Sequence, residues 1–303
     1  MMANSTMLQL VQQATGEMGL AVPNAVAGST STDTIQQLAL LNAVGYELLR
    51  KHPWQALNNA YIFQVDVITI TGNTTLNSSN ITNASSIVGI DSNYQVAGLG
   101  INQATYVSGT PSGSTIGLSQ PATSTNTGAT FTLTKVKYAM PSDYDRQIDN
   151  THWDKSKHWQ MLGPESPQQW EWLLSGYIST GPRVRYRIFQ DKFQIWPAVG
   201  SAEVLGFEYV SKGWARSTTG TVQNSFTADT DTCIFPDRLM VLGLKHKYFQ
   251  VKGFGDVYAQ DYDDELGEAK TNDAGSATLA MAPQPGNVLI TWNNIPDSGY
   301  GQS

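Results

Sequence analysis

Near the start of the chain, Met7, Leu8, Val11, Ala14 and Met18 recur at helical spacing among Gln, Thr and Glu. This pattern predicts an amphipathic helix from Ser5 to Leu20 with Asn4 or Ser5 at its N-cap. A second helix is predicted from Asp33, where Gln36 three positions on resembles a capping box, and it carries Ile35, Leu38, Leu41, Val44, Tyr46 and Leu48 until His52-Pro53 stops it. The Gly- and Pro-containing stretch from Val22 to Thr32 would let the two pair as a hairpin. Pro236 suits the first turn of a third helix, with Leu239, Leu242, His246 and Phe249 on one face. Gly253-Phe254-Gly255 interrupts it, and Asp256 caps a last, acidic helix to about Ala269.

Between the second and third helices the period changes to two. Val184, Tyr186 and Ile188 alternate with Arg183, Arg185 and Arg187, Gln190-Asp191 supplies a tight turn, and Phe193 and Ile195 return, which predicts a β-hairpin. Another strand is expected from Glu203 to Val210, and one near Val136 to Met140 to join the same small sheet. From Ile68 to Thr134 the only charged residue is Asp91, and short β-prone pieces alternate with Gly, Ser and Asn turns. The fold expected is therefore α+β. Residues 1–65 and 135–270 form a helical bundle with a small antiparallel sheet, 66–134 form an inserted β-rich domain, and 271–303 form an extended C-terminal arm that could bury Trp292 on a neighbouring subunit.

Six of the eight tryptophans fall between Pro141 and Trp214, among Pro-, Asp- and Gly-rich turns. Large aromatic rings dominate interface energetics where they find a partner, so this stretch reads as an assembly surface. Trp153, Trp159, Trp170 and Trp172 could also form a sugar-stacking platform, but no convergent set of carboxylates and amides accompanies them.

Charged residues make up 14% of the chain, against about 25% in an ordinary domain. Its surface is then largely neutral and polar, or covered by other subunits. A net charge of −7 provides no global positive field for phosphate, which argues against a stable duplex binder but suits a protein that DNA slides past. The single Cys233 excludes an intramolecular disulfide and a thiolate-rich zinc site, and reads as a small buried hydrophobe. No window is apolar enough to span a membrane and the N-terminus lacks a signal-peptide pattern, so folding in a cytosol is expected.

The search for chemistry is largely negative. No phosphate-binding loop, HExxH or GxSxG pattern occurs, and His152 and His158 are six apart, which does not place two imidazoles on one helical face. A partly exposed packing role is the expectation for them. Asp229-Thr230-Asp231-Thr232 reads as a loop end and cap rather than a calcium site. Asp261, Asp263, Asp264, Glu265 and Glu268 crowd the last helix too densely for a catalytic pair, and form a solvated face or one that meets a basic neighbour. No catalytic residue, cofactor or metal is expected. The interface candidates are Arg183, Arg185, Arg187, Trp170, Trp172, Trp196 and Trp292.

Several stretches taken in order carry a resemblance. They are the early helix pair ending Glu47-Leu48-Leu49-Arg50 with Trp54, the junction Met140-Pro141-Ser142-Asp143, and the hairpin Arg187-Ile188-Phe189 to Phe193-Gln194-Ile195-Trp196-Pro197. Phe207-Glu208-Tyr209-Val210-Ser211-Lys212 and Phe235-Pro236-Asp237-Arg238-Leu239 follow. Over roughly Ser5 to Val65 and Lys135 to Ala269 the chain resembles the head-to-tail adaptors of short-tailed bacteriophages, the tail tubular protein A type. The resemblance implies a non-enzymatic virion protein of the neck, assembled in the host bacterial cytoplasm. It also implies a ring of twelve subunits beneath the portal protein, bound to the tail nozzle protein below, able to hold tail fibres, and touching DNA transiently in its channel. The stretch from about Asp66 to Thr134 departs from the compact family pattern and suggests an outer decoration or a fibre-docking surface. The competing readings are a tail-fibre or receptor-binding module for a host glycan, and a cell-wall hydrolase using the acidic residues.

Overall fold

The computed structural model describes residues 4–175 and 183–274. Among them are five α-helices, α1 Met7–Glu17, α2 Thr32–Lys51, α3 Pro167–Leu174, α4 Asp237–Val251 and α5 Ala259–Ala274, together with several antiparallel sheets. The chain is thus mixed α+β. It divides into two compact units, one of residues 4–59, 142–147 and 209–274, the other of residues 60–141, 148–175 and 183–208. The arm expected over 271–303 lies outside the described residues apart from the end of α5, and so does Trp292.

In the first unit α4 is the central helix. Leu239, Met240, Val241, Leu242 and Leu244 are all buried, so its first half is apolar all round rather than on the single face predicted. Both α1 and α2 pack on α4 and touch each other only slightly, which replaces the expected helix hairpin. Its encircling apolar surface offers each of them more to bury than they offer one another. Along α5, Tyr262, Leu266 and Ala269 form a buried stripe, opposite exposed Asp261, Asp263, Asp264 and Glu268.

The cap of α1 is Thr6, not Asn4 or Ser5. Its hydroxyl accepts the Gln9 N–H while Gln9 Oε1 accepts the Thr6 N–H, a reciprocal capping box. Asn4 is instead bonded to the Cys233 carbonyl, and the Asp237 carboxylate takes the Ser5 N–H at 3.0 Å. Two more amides at this helix end reach a distant loop, Met7 N–H to the Asp231 carbonyl at 2.7 Å and Leu8 N–H to the Asp229 carbonyl at 3.2 Å. For α2 the N-cap is Ser31, with no side-chain cap bond, so the box expected of Asp33 and Gln36 does not form. Within α2, Gly45 lies against Trp214; a Cβ there would stand 2.3 Å from the indole ring.

An ion-pair network ties α1 to α4. Glu17 receives Lys245 Nζ at 2.8 Å and Arg238 Nη1 at 2.9 Å, and the nearly buried Lys245 also lies 3.9 Å from the Tyr258 ring centroid. The Lys245 hydrogen bond, aided by Gln13 and Arg238 and opposed by burial, lowers the Glu17 carboxyl to about 2.

In the second unit, residues 67–135 build a five-stranded antiparallel sheet in the order Tyr94–Gly98, Asn126–Lys135, Val67–Thr74, Asn80–Thr82, Ile116–Gly117. Alternate residues face its own core, in which Ile70, Ile81, Tyr94, Val96, Phe131 and Leu133 are buried, with Ile70 opposite Phe131 in register. A second sheet joins Arg185–Phe189, Lys192–Trp196 and Lys137–Ala139. The strand Lys137–Ala139 is in that sheet as expected, whereas Val204–Ser211 lies in another, paired with Asn58–Gln64 and Trp153–Asp154. Its burial on both faces shows why: Leu205, Gly206 and Phe207 are covered in succession, as for an inner strand of a sheet of its own.

Candidate assembly surface

The hairpin Arg185–Phe189 to Lys192–Trp196 turns on Gln190 and Asp191, whose φ values are 51° and 55°. Positive φ at both central residues is the two-residue turn whose twist matches the flanking strands. Period-two alternation then places Arg185, Arg187 and Phe189 on one face and Tyr186 and Ile188 on the other. Across the strands Arg187 stands opposite Gln194, which stands opposite Lys137, and Arg187 Nε donates to Gln194 Oε1 at 3.0 Å.

Helix α3 lies beside this face and was not predicted from the sequence. Ser166 caps it, with Gln169 completing a capping box and Pro167 at the first turn. Trp170 and Leu173, three residues apart, share the inward face and pack with Trp196; Trp172 projects from the opposite face and is 47% exposed. The Arg187 guanidinium joins helix to hairpin, 4.5 Å from the Trp170 ring centroid and 4.7 Å from that of Phe189. Burial lowers the Arg187 pKa, with Glu171 opposing, yet a guanidinium remains charged.

The candidates therefore part company. Trp170 and Trp196 are each 2% exposed, so their rings belong to the chain's own core. Arg185 pairs with Glu165 at 2.6 Å, and that carboxylate is itself 7% exposed. Arg183 is half-buried at the edge of the described segment. Trp172 stays at the surface, as does Phe189, also 47% exposed, a strand residue that is not among the sequence candidates.

A positive cluster unites residues distant in sequence. Lys137 Nζ lies 4.7 Å from the Tyr106 ring centroid, and burial, then the charges of Lys192 and Arg187, lower its pKa. Lys192 Nζ donates to Asn93 Oδ1 at 2.8 Å. Lys137, Arg187 and Lys192 thus form a basic face beside Phe189. Strand alternation could have found Lys137 and Lys192, but only once the pairing of the strands was known.

The other candidate chemistry is consumed internally. Asp229 Oδ1 accepts the Val26 and Ala27 amides at 2.9 and 2.7 Å, and Asp231 Oδ2 accepts those of Thr227 and Ala228, both at 2.8 Å. No group of three or more potential metal ligands exists among the described residues. His152 is 1% exposed rather than partly exposed, with its ring stacked 4.0 Å from that of Tyr186. Burial, opposed by Asp149, lowers its pKa to about 4, so it is neutral near pH 7. Cys233 is buried and its thiol pKa is pushed up to about 12 by burial. No helix among the described residues is long and apolar enough to cross a membrane.

The family model of the SU10 adaptor protein matches residues 120–284, more than half of the 303 residues. The chain belongs to this family. Members of the SU10 adaptor family are structural proteins of the bacteriophage head–tail junction, which places this chain among neck components of the virion. The match includes α3, the hairpin, the basic face, α4 and α5; the early helix pair lies before it. No curated protein matches the chain.

Proposed function

We propose that the chain is one subunit of a twelve-membered ring that joins the portal protein to the tail nozzle protein and surrounds the channel through which DNA leaves. The observation that carries this reading is membership of the SU10 adaptor family. A ring built head to tail needs two different, complementary faces on each subunit. Lys137, Arg187 and Lys192 offer a basic face flanked by Phe189, and Asp261, Asp263, Asp264 and Glu268 offer an acidic one on α5. Charge complementarity of this kind sets register and partner choice. A net charge of −7 is compatible with a channel that contacts DNA only transiently.

Residues 66–134 act in this reading as an inserted domain on the outside of the ring, a decoration or a dock for tail fibres. The arm 271–303 reaches a neighbouring protein and buries Trp292 there. Native mass spectrometry of the chain, alone and with the portal ring, tests the proposal. Twelve copies per portal ring are expected. A stable trimer indifferent to portal would overturn it in favour of a fibre or receptor-binding module, with the 66–134 sheet as the place to seek a glycan.

A further inference from the structure

Two carboxyl groups lie side by side within the second unit. Asp154 is 2% exposed and Glu203 is 5% exposed, and Lys157 binds both, its backbone N–H meeting the first carboxylate and its Nζ the second. Each has donors at one oxygen. Asp154 Oδ1 accepts the backbone N–H groups of Ser156 and Lys157 at 2.9 and 3.0 Å. Glu203 Oε1 accepts Lys157 Nζ at 2.6 Å and the Ser201 hydroxyl at 3.2 Å. Glu203 Oε2 is buried and has no donor among the described residues.

A buried acceptor without a donor is destabilising, and two ionised carboxylates cannot bond to one another. One proton on Asp154 removes both difficulties, because the protonated carboxyl becomes the donor that Glu203 Oε2 lacks. It also balances charge: Lys157 then faces a single carboxylate. The other ionisable groups nearby do not supply that balance. Lys155 is exposed on the same turn, and His152, two residues before Asp154, is neutral and stacked on Tyr186.

We propose that Asp154 and Glu203 form a proton-binding site whose occupancy fastens the hairpin of Trp153–Asp154 and Trp159–Gln160 to the 199–203 segment. That segment also holds the root of the five-stranded sheet. The Glu203 carbonyl accepts the Val65 N–H at 2.8 Å, just before the strand Val67–Thr74, and the Val199 carbonyl accepts the Thr134 hydroxyl at 3.0 Å, near the end of Asn126–Lys135. Loss of the proton sets two like charges against one counter-ion and loosens the segment, releasing the base of the sheet. Proton occupancy thereby controls how firmly the 67–135 sheet is held.

Burial, with the Glu203 charge adding to it and the backbone bonds of Lys157 and Ser156 opposing, raises the Asp154 pKa. A folded pKa above the unfolded one means that the stabilisation is complete below the unfolded value and is lost as pH rises through the folded value. Thermal unfolding of the full chain from pH 4 to 9, with Asp154→Asn beside the wild type, tests this, since the Asn amide is a permanent donor to Glu203 Oε2. Relative to Asp154→Asn, the wild-type Tm is expected to fall by several degrees as pH rises. Hydrogen exchange over 197–204, corrected for its intrinsic pH dependence, should lose protection in the wild type alone. Superimposable Tm and exchange profiles would overturn the proposal. Should Asp154→Asn not fold, carboxyl NMR of the wild type decides: titration of Asp154 above the ordinary range supports the site, and titration within or below it overturns it.

Discussion

The Asp143 carboxylate holds the Tyr209 hydroxyl at 2.8 Å, and its second oxygen holds the Ser211 hydroxyl at 2.7 Å. The Asp143 carbonyl also accepts the Lys212 N–H at 2.7 Å. Two sequence stretches that carried the adaptor resemblance are thus joined by one side chain. Hydrogen bonds to an ionised acceptor contribute about 1.5–3 kcal/mol. Asp143→Ala is expected to lower stability by about 2 kcal/mol, Asp143→Asn by less, and Tyr209→Phe by about 1 kcal/mol. Urea denaturation measures these losses, and an unchanged midpoint for Asp143→Ala would show that water replaces the bonds at no cost.

The Arg185 pair makes charge reversal there a test of folding before it is a test of assembly. Arg185→Glu places a second carboxylate against nearly buried Glu165 and should cost roughly 2–3 kcal/mol. The swap Arg185→Glu with Glu165→Arg should recover part of the loss. Phe189→Ser, at an exposed ring, should stay within about 0.5 kcal/mol of the wild type and yet weaken ring or portal assembly. Calorimetry reads the first effect and native mass spectrometry the second.

At Gly45 helix propensity and packing oppose each other. Alanine would gain about 1 kcal/mol of propensity, but its Cβ would meet the Trp214 ring at 2.3 Å, and overpacking of a core costs about 1–3 kcal/mol. A net loss of about 1–2 kcal/mol is expected. A raised denaturation midpoint would mean that the indole moves aside freely.

Acid should weaken the second unit through His152. Its folded pKa of about 4 lies below the ordinary 6.5, so the unfolded chain takes up the proton first. The contribution is complete above pH 6.5 and is lost as pH falls toward 4, by at most about 3 kcal/mol. Asp154 changes stability in the opposite sense over part of this range, so the comparison must hold it constant. His152→Phe should flatten the acid limb of stability against pH; an unaltered limb would assign it to other groups.

Features encoded within a few residues were legible in the sequence. Gln190-Asp191 marked its turn, Pro236 marked the start of α4, and Gly253-Phe254-Gly255 marked the break before α5. Helix α3 was equally marked by Ser166, Pro167 and Gln169, but the surrounding prolines and tryptophans suggested turns. What depends on pairing was hidden. Thr6 outcompetes Asn4 and Ser5 as a cap because residues 233 and 237 claim those two. Trp170 and Trp172 look alike in sequence, and only a helix packed on Trp196 buries one and exposes the other. The basic face likewise needed the register that sets Lys137 beside Gln194.

The amino end of α1 is completed by carbonyls of Asp229 and Asp231, and the Asp229 carboxylate binds Val26 and Ala27 across 203 and 202 residues of chain. On the ribosome, the first helix emerges long before the loop that finishes it. Contacts so far apart in sequence form slowly, because chain closure must come first. The opening segment therefore cannot lock until that loop has been made, and a nascent chain cut short before residue 229 leaves its first helix open to other partners.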